Sequence, residues 1–280
     1  PWDPSEFNKT CSPNISGESW YSGTVTFNTL KTTLKADLTS DPIYQLKDCT
    51  EPPGIETYQF NAYTDSIELA MDGDHNGVFQ SENNLDISKS SVGVHWASTL
   101  ANRWFKDRFR YSGPDGIAQL PIKNILGDPA HPYPGFDTTT QTYFYPFAPE
   151  ASSLDAVSQI YFQGVNHFIK ADQNQIQDYR HPEWEAIRNG LAQIFALNIK
   201  NNYRMSLPNM DGTSWTLGED IPGTPKLFNF SIPGNAARPA LYEGKEWDTV
   251  YPARNASILD FWYYLLVNGT ESPKGYTSER

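Results

Sequence analysis

Oxygen-bearing side chains recur at alternate positions in one short segment of the chain. Asp72, Asp74 and Asn76 precede a glycine with the spacing of a calcium-binding loop, because alternate residues of a tight turn direct side-chain oxygens toward one point. The EF-hand pattern is incomplete, since its twelfth position is Asn83 and Glu82 lies one residue early. These residues predict a structural calcium site, with a plain Asp/Asn/Gly turn as the alternative.

Paired carboxylates could serve as the acid and the base of a hydrolase. The candidate pairs are Asp72 with Asp74, and Asp155 with Glu183 or Glu185. The chain holds 33 acidic residues, so solvated surface carboxylates are the simpler interpretation of any one pair. No Gly-x-Ser-x-Gly elbow or glycine-rich phosphate loop is present, which disfavours serine hydrolase and nucleotide chemistry. No two histidines have a ligand spacing, so we expect the five histidines to pack in the core or lie on the surface.

Two cysteines and five glycosylation sequons favour an exported protein. Cys11 and Cys49 could close one loop in an oxidising compartment, which stabilises a fold by roughly 3 to 4 kcal/mol in the chain-entropy model. Two unpaired buried thiols are the alternative. Asn-x-Ser/Thr sequons with a non-proline middle residue stand at Asn8, Asn14, Asn229, Asn255 and Asn268. We therefore expect a secreted, extracellular glycoprotein.

Composition indicates a globular chain without affinity for nucleic acid or membranes. The 280 residues are 38% hydrophobic and 14% aromatic, enough for one large core or two adjoining lobes. Lys and Arg total 21, and the formal net charge of -12 opposes attraction to phosphate backbones and anionic lipids. No apolar run approaches the length of a membrane span. We expect no nucleic-acid partner and no membrane insertion.

The elements that must position these residues change from strands to helices along the chain. Short alternating runs between proline and glycine turns predict antiparallel strands in residues 20–69. Recurrent proline, glycine and aromatic residues predict irregular loops and edge strands in residues 111–151. Apolar residues at three- and four-residue spacings predict four helices, at about residues 88–109, 154–170, 182–201 and 258–267.

Four short motifs occur in a fixed order along most of the chain. Asp-Gly-Asp at residues 72–74 precedes a segment at 95–106 that begins with His-Trp and ends with Trp-Phe-Lys. Trp-Thr-Leu-Gly-Glu-Asp-Ile occupies 215–221, and Tyr-Leu-Leu followed by Asn-Gly lies within 264–269. These motifs resemble the Asp-x-Asp segment, the Ala-His-Tyr-Tyr helix, the Trp-x-x-Gly-Glu-Asp-Ile run and the closing Ala-Tyr-Leu-Leu helix of the thermolysin-like zinc metallopeptidases, a gluzincin family.

The resemblance implies that the zinc chemistry has been replaced. The family's zinc helix reads His-Glu-x-x-His, and the corresponding residues here are Gln159, Ile160 and Gln163. Asn189 stands at the third-ligand position and Gln193 at the position of its supporting carboxylate. Carboxamide oxygens are weak zinc ligands, and a hydrocarbon side chain cannot accept a proton. We therefore expect no zinc and no zinc-dependent peptidase activity, with facing amides satisfying one another without an ion.

Two looser correspondences extend the resemblance. Ala253 falls where the family has a histidine that stabilises the oxyanion, and the segment 134–137, Pro-Gly-Phe-Asp, weakly represents the family's Asn-Ala-Phe-Trp substrate strand. If five coordinated losses on a matching frame are genuine, they indicate a degenerate peptidase; a coincidental resemblance is the alternative.

The resemblance implies a two-lobed α+β architecture. We expect a sheet-rich N-terminal lobe at residues 1–153 and a mainly helical C-terminal lobe at residues 154–280, with the helix 154–170 forming the floor of a cleft. The expected function is a secreted, catalytically inactive metallopeptidase-like protein that binds a peptide, protein or glycan in the former active-site cleft. The alternatives are a secreted hydrolase with a relocated carboxylate site, for example acting on polysaccharide, and a structural extracellular glycoprotein.

Overall fold

The computed structural model describes residues 7–34, 43–50, 52–70, 78–79, 85–172, 182–207, 213–221, 228–232, 238–243, 247–248 and 250–269. The chain divides into two compact units, Pro1–Ile169 and Lys170–Arg280, which we call the first and second units. Strands come mainly in the first unit, and helices occur in both units, so the fold is α+β. The division falls near the end of the second helix, whereas the lobe boundary expected from the sequence lies before that helix. The two lobes as functional halves stay a prediction.

A four-stranded sheet opens the first unit. Its order is β3-β2-β1-β7, and its strands are β1 (Phe7–Ser19), β2 (Gly23–Leu34), β3 (Ile43–Gln45) and β7 (Val78–Phe79). β1 and β2 form a long antiparallel hairpin. Val25, Phe27 and Thr29 are buried while the residues between them are more accessible, which is the period-two pattern of a strand with one face on the core. The prediction of antiparallel strands in residues 20–69 is confirmed for β2, whose partner β1 precedes that region.

A second sheet contains the strands of the middle of the chain. Its order is β4-β5-β8-β10-β9, with β6 paired to β5, and the strands are β4 (Lys47–Asp48), β5 (Ile55–Asn61), β6 (Ser66–Leu69), β8 (Ile122–Leu126), β9 (Gly135–Asp137) and β10 (Thr142–Tyr145). β8 and β10 lie inside the sheet and β8 pairs in parallel with both neighbours. The prediction of only loops and edge strands in this region is therefore wrong, and β9 alone fits it. All four residues of β10 are buried, so no polar–apolar alternation marks it in the sequence.

All four predicted helices are confirmed. They are α1 (Leu85–Phe109), α2 (Leu154–Asp172), α3 (Pro182–Met205) and α4 (Ser257–Asn268), and each contains the predicted span with small extensions. Pro182 begins α3, where its missing N–H is not needed, and Gly269 ends α4 with a positive φ of 81°. Within the described parts of the chain, none of the helices combines the length and apolar character that a membrane span requires.

A buried polar network joins α1 to both sheets of the first unit. His95 on α1 is fully buried, and its Nδ1 lies 2.9 Å from Thr57 Oγ1 on β5. Asn124 on β8 donates to the same hydroxyl at 3.3 Å, while His95 Nε2 lies 3.4 Å from the Asn28 carbonyl oxygen. Burial lowers the pKa of His95 to about 4, so the imidazole is neutral at pH 7. The network satisfies these interior groups without an ion.

The second unit is built around the segment 215–221. β11 (Thr216–Leu217) pairs with β12 (Phe228–Asn229), and a core of Ile194, Ala196, Leu197, Leu217 and Phe230 packs beneath them. Lys200 on α3 is 2% exposed and donates to the Thr216 carbonyl oxygen at 3.3 Å. Its Nζ also lies 3.2 Å from Glu219 and 3.0 Å from Asp220. The segment 215–221 is therefore bound to α3 through a buried cation, Lys200.

Candidate functional site

α2 carries the three residues that the resemblance places at the zinc-binding and base positions. Gln159 and Gln163 are partly buried, one helical turn apart, and Ile160 is 5% exposed. The Gln159 amide nitrogen donates to the Asp155 carbonyl oxygen of the same helix at 3.2 Å. The side chain at the base position is therefore a packed hydrocarbon, and one of the two amides is engaged by its own helix.

Contacts with β10 and α1 fix the orientation of α2 in the first unit. Tyr143 on β10 stacks on Tyr161 of α2 with ring centroids 5.9 Å apart, and its hydroxyl donates to the Tyr161 carbonyl oxygen at 3.3 Å. The Tyr161 hydroxyl donates in turn to Asn102 on α1 at 3.0 Å. Gly164 faces the Tyr143 ring so closely that no side chain fits there. These contacts hold the row of Gln159 and Gln163 in one orientation.

Gln163 lies beside the edge strand β9. Its Oε1 is 3.9 Å from the position that a Cβ on Gly135 would occupy. β9 is the last strand in the order of its sheet, and β10 is its partner among the described strands. The structure thus brings together α2 and β9, two segments that the resemblance relates to one site.

Aromatic and acidic side chains define the surroundings of β9. The Phe136 ring lies 4.8 Å from Tyr143 and 5.9 Å from His167, measured between centroids. Asp137 accepts hydrogen bonds from the Thr139 backbone N–H at 2.8 Å and from the Thr140 hydroxyl at 2.9 Å, and these bonds lower the pKa of Asp137. The strand therefore has an aromatic flank and ends in an ionised, hydrogen-bonded turn.

The side chains at the former zinc positions do not fit a zinc ion. Gln159 and Gln163 offer neutral amides, Ile160 offers no donor, and among the described residues no three His, Cys, Asp or Glu side chains lie together as a metal site would require. Asp72, Asp74 and Asn76 lie outside the described residues, so the calcium site stays a prediction.

The two remaining positions lie on α3 in the second unit. Asn189 is partly buried, whereas Gln193 is 4% exposed and faces Asp260 of α4. With its amide nitrogen turned toward the carboxyl group, Gln193 donates to Asp260 Oδ2 at 2.5 Å. Burial raises the pKa of Asp260 well above its ordinary value, although the charge of Arg238 opposes this shift. Gln193 therefore belongs to a buried acid–amide pair.

The sequence reasoning missed Asp260. Its signal was available, because it is the one acidic residue in the apolar run Ser257–Asn268 that forms α4. Ala253, expected at the oxyanion-stabilising position, lies in the 3₁₀ turn Pro252–Ala256 and carries only a methyl group. Of the candidate carboxylates, Asp155 belongs to the first unit, and Glu183 and Glu185 belong to the second.

The predicted disulfide is confirmed, and the sequons have unequal environments. Cys11 and Cys49 are bonded, which ties β1 to the segment after β4. Asn14 and Asn268 are exposed, and Asn229 is partly buried in a turn in which its side-chain oxygen accepts from the Ser231 N–H. Asn255 is 2% exposed, and its amide exchanges hydrogen bonds with the Asp248 backbone at 3.0 and 2.9 Å. This fold leaves no room for a glycan on Asn255. The side chain of Asn8 lies outside the described residues.

The succession of sheets and helices, with α2 beside an edge strand, is similar to the fold of the thermolysin-like metalloproteases. One solved structure that shows this similarity is the precursor of protealysin, a metalloproteinase from Serratia proteamaculans. It aligns with 75% of this chain and 67% of its own chain, with a TM-score of 0.54 and 14% sequence identity. At that identity the similarity concerns the fold alone. No protein-family model and no curated protein matches the sequence.

Proposed function

We propose that this protein is a catalytically inactive relative of the thermolysin-like metalloproteases that binds an extended peptide along β9. The observation that carries the proposal is the position of Gln163, which sets a neutral amide from the former zinc helix beside Gly135 of an edge strand. A peptide at this edge would meet amides and hydrocarbon where a peptidase has its metal and base.

The edge of β9 supports a peptide rather than a glycan as the ligand. An edge strand offers backbone N–H and C=O groups that an extended peptide can pair with, and neighbouring side chains then select its sequence. The rings of Phe136 and His167 provide an apolar flank, and the hydrogen-bonded Asp137 provides a negative charge at the end of the strand. We therefore expect selected peptides to combine aromatic or aliphatic residues with a basic residue.

A screen of random linear peptides displayed on phage tests this proposal. We expect the full chain to enrich a defined motif and the bound peptide to slow hydrogen exchange at residues 135–137. Gln163→Ala should weaken binding, while Asn166→Ala, an amide on the next turn of α2, should leave binding unchanged. No enriched peptide, or equal effects of the two substitutions, would contradict the proposal.

Metal content and turnover test the inactive chemistry separately. Protein purified without chelators should contain no tightly held zinc and should not cleave a broad panel of peptide substrates. One equivalent of tightly held zinc would contradict the inactive assignment.

We further propose that the protein is exported and glycosylated at Asn14 and Asn268. Both side chains are exposed, and the Cys11–Cys49 bond is suited to an oxidising compartment. Glycopeptide mass spectrometry after expression in a eukaryotic secretory host should find glycans at these two sites. Asn255 serves as the internal control, because its buried amide should carry none. A glycan at Asn255 with Asn14 and Asn268 unmodified would contradict this proposal.

A further inference from the structure

A small pocket opens in the second unit. Its volume is about 180 Å³, and it lies where the first turn of α3 meets the start of α4. Ala186 of α3 and Ile258 and Leu259 of α4 form an aliphatic floor. The two helices approach closely here, because a Cβ on Gly190 would lie only 2.9 Å from the Leu259 side chain.

Two aromatic rings and one carboxylate line the pocket together with Ile187 and Asn255. Tyr242 and Trp247 meet edge to face, with ring centroids 4.8 Å apart and an interplanar angle of 67°. The Tyr242 hydroxyl donates a short hydrogen bond to Glu183 at the start of α3. This bond holds the tyrosine ring and the carboxylate together on one side of the pocket, although Tyr242 is itself 58% exposed.

The side chains that line the pocket favour a cation over an anion or a neutral hydrocarbon. Aromatic faces attract cations through their quadrupole, and a carboxylate attracts the same charge. An anion would be repelled by Glu183, and a neutral hydrocarbon would shield that carboxylate from water without replacing its solvation. The net charge of -12 raises the local concentration of cations around the whole chain.

We propose that this pocket binds an alkylammonium ion, whose hydrocarbon part contacts the aliphatic floor while its ammonium group lies between Glu183 and the rings of Tyr242 and Trp247. This site is independent of the peptide site on β9, because it uses no residue of the first unit. If the test of one site fails, the proposal for the other site is therefore unaffected.

Isothermal titration of the full chain with n-hexylammonium chloride at low ionic strength tests the pocket. 1-Hexanol and hexanoate have similar hydrocarbon parts with a neutral or negative head. We expect n-hexylammonium to bind at least tenfold more tightly than 1-hexanol, and hexanoate to bind more weakly than both. Equal affinity for n-hexylammonium and 1-hexanol, or no binding of n-hexylammonium, would overturn the proposal.

Matched substitutions on α3 assign the effect to one carboxylate. Glu183→Gln should reduce affinity for n-hexylammonium at least tenfold while leaving affinity for 1-hexanol within twofold, which also shows that the pocket is intact. Glu185→Gln removes the same charge two residues along the helix, outside the pocket lining, and should change both affinities less than twofold. Equal losses in the two variants would mean that the general charge of the chain, not this pocket, attracts the cation, and would overturn the proposal.

Discussion

The two units differ in the polar groups that are buried beside the helices α1 and α3. Beside α1 in the first unit lies a buried network of neutral groups, in which His95, Thr57 and Asn124 share hydrogen bonds. Beside α3 in the second unit two of the buried groups are ionisable, with Lys200 among carboxylates and Asp260 beside Gln193. Neutral polar groups can become partly exposed to water at low energetic cost, whereas the loss of the partner of a buried charged group is strongly destabilising.

This difference separates residues that the family resemblance groups together. Gln163 and Gln193 both replace polar residues of a zinc site in that comparison. Gln163 lies beside a strand edge, and Gln193 is enclosed against Asp260. Gln163 therefore places a neutral amide beside β9, and Gln193 contributes to the packing of α3 on α4.

The largest effect that tests this contrast should come from Lys200→Ala. The substitution removes the buried cation from Asp220, leaves Arg204 to pair with Glu219 and removes a buried aliphatic stem, so we expect a loss of about 3 to 4 kcal/mol in the free energy of unfolding. Urea denaturation measures this change, with Lys123→Ala, an exposed lysine on β8, as the control. A loss below about 1 kcal/mol would show that the second unit does not depend on this cation.

His95 should make the protein sensitive to acid. The pKa of His95 is about 4 in the folded protein, against an ordinary value of 6.5. Its contribution to the free energy of unfolding is therefore complete above pH 6.5 and is lost as the pH falls from 6.5 to 4. The expected loss is roughly 3 kcal/mol between pH 6.5 and 4. Urea denaturation at several pH values should show this slope in the native protein and a reduced slope in His95→Gln. An unchanged slope would mean that His95 does not remain neutral inside the fold.

Asp260 should give the opposite pH dependence. Its pKa is raised above the ordinary value of 3.8, so the folded state holds a proton that the unfolded state releases, and stability falls as the pH rises above about 4. The slope contributed by this group is at most about 1.4 kcal/mol per pH unit. Asp260→Asn should flatten the curve over this range, while Asp107→Asn, an exposed control, should not. If stability depended on pH identically in the native protein and in Asp260→Asn, the carboxyl group of Asp260 would be ionised in the core.

Particular elements show how far the sequence could predict this molecule. The four helices follow from the three- and four-residue spacing of their apolar residues, although residues 90–98 of α1 are buried on every side. β10 could not be recognised, since all four of its residues are buried and proline-rich loops surround it. That Gln159 and Gln163 share one face of α2 follows from their i, i+4 spacing, whereas their correspondence to zinc positions stays a prediction. The partner of Gln193 was not readable, because its contact joins residues 67 positions apart and depends on how α3 packs on α4.

The smallest effect should come from the amide of Gln163 on α2. Gln163→Ala should change the free energy of unfolding by less than about 1 kcal/mol, because its side chain is only partly buried and lies at a strand edge. Gln193→Ala is the matched comparison: it deprives a buried carboxyl group of its partner, which costs about 1 to 3 kcal/mol. Both variants are measured by urea denaturation at one pH. If Gln163→Ala proved as destabilising as Gln193→Ala, the α2 amide would be part of the scaffold, and a peptide site beside β9 would lose its main support.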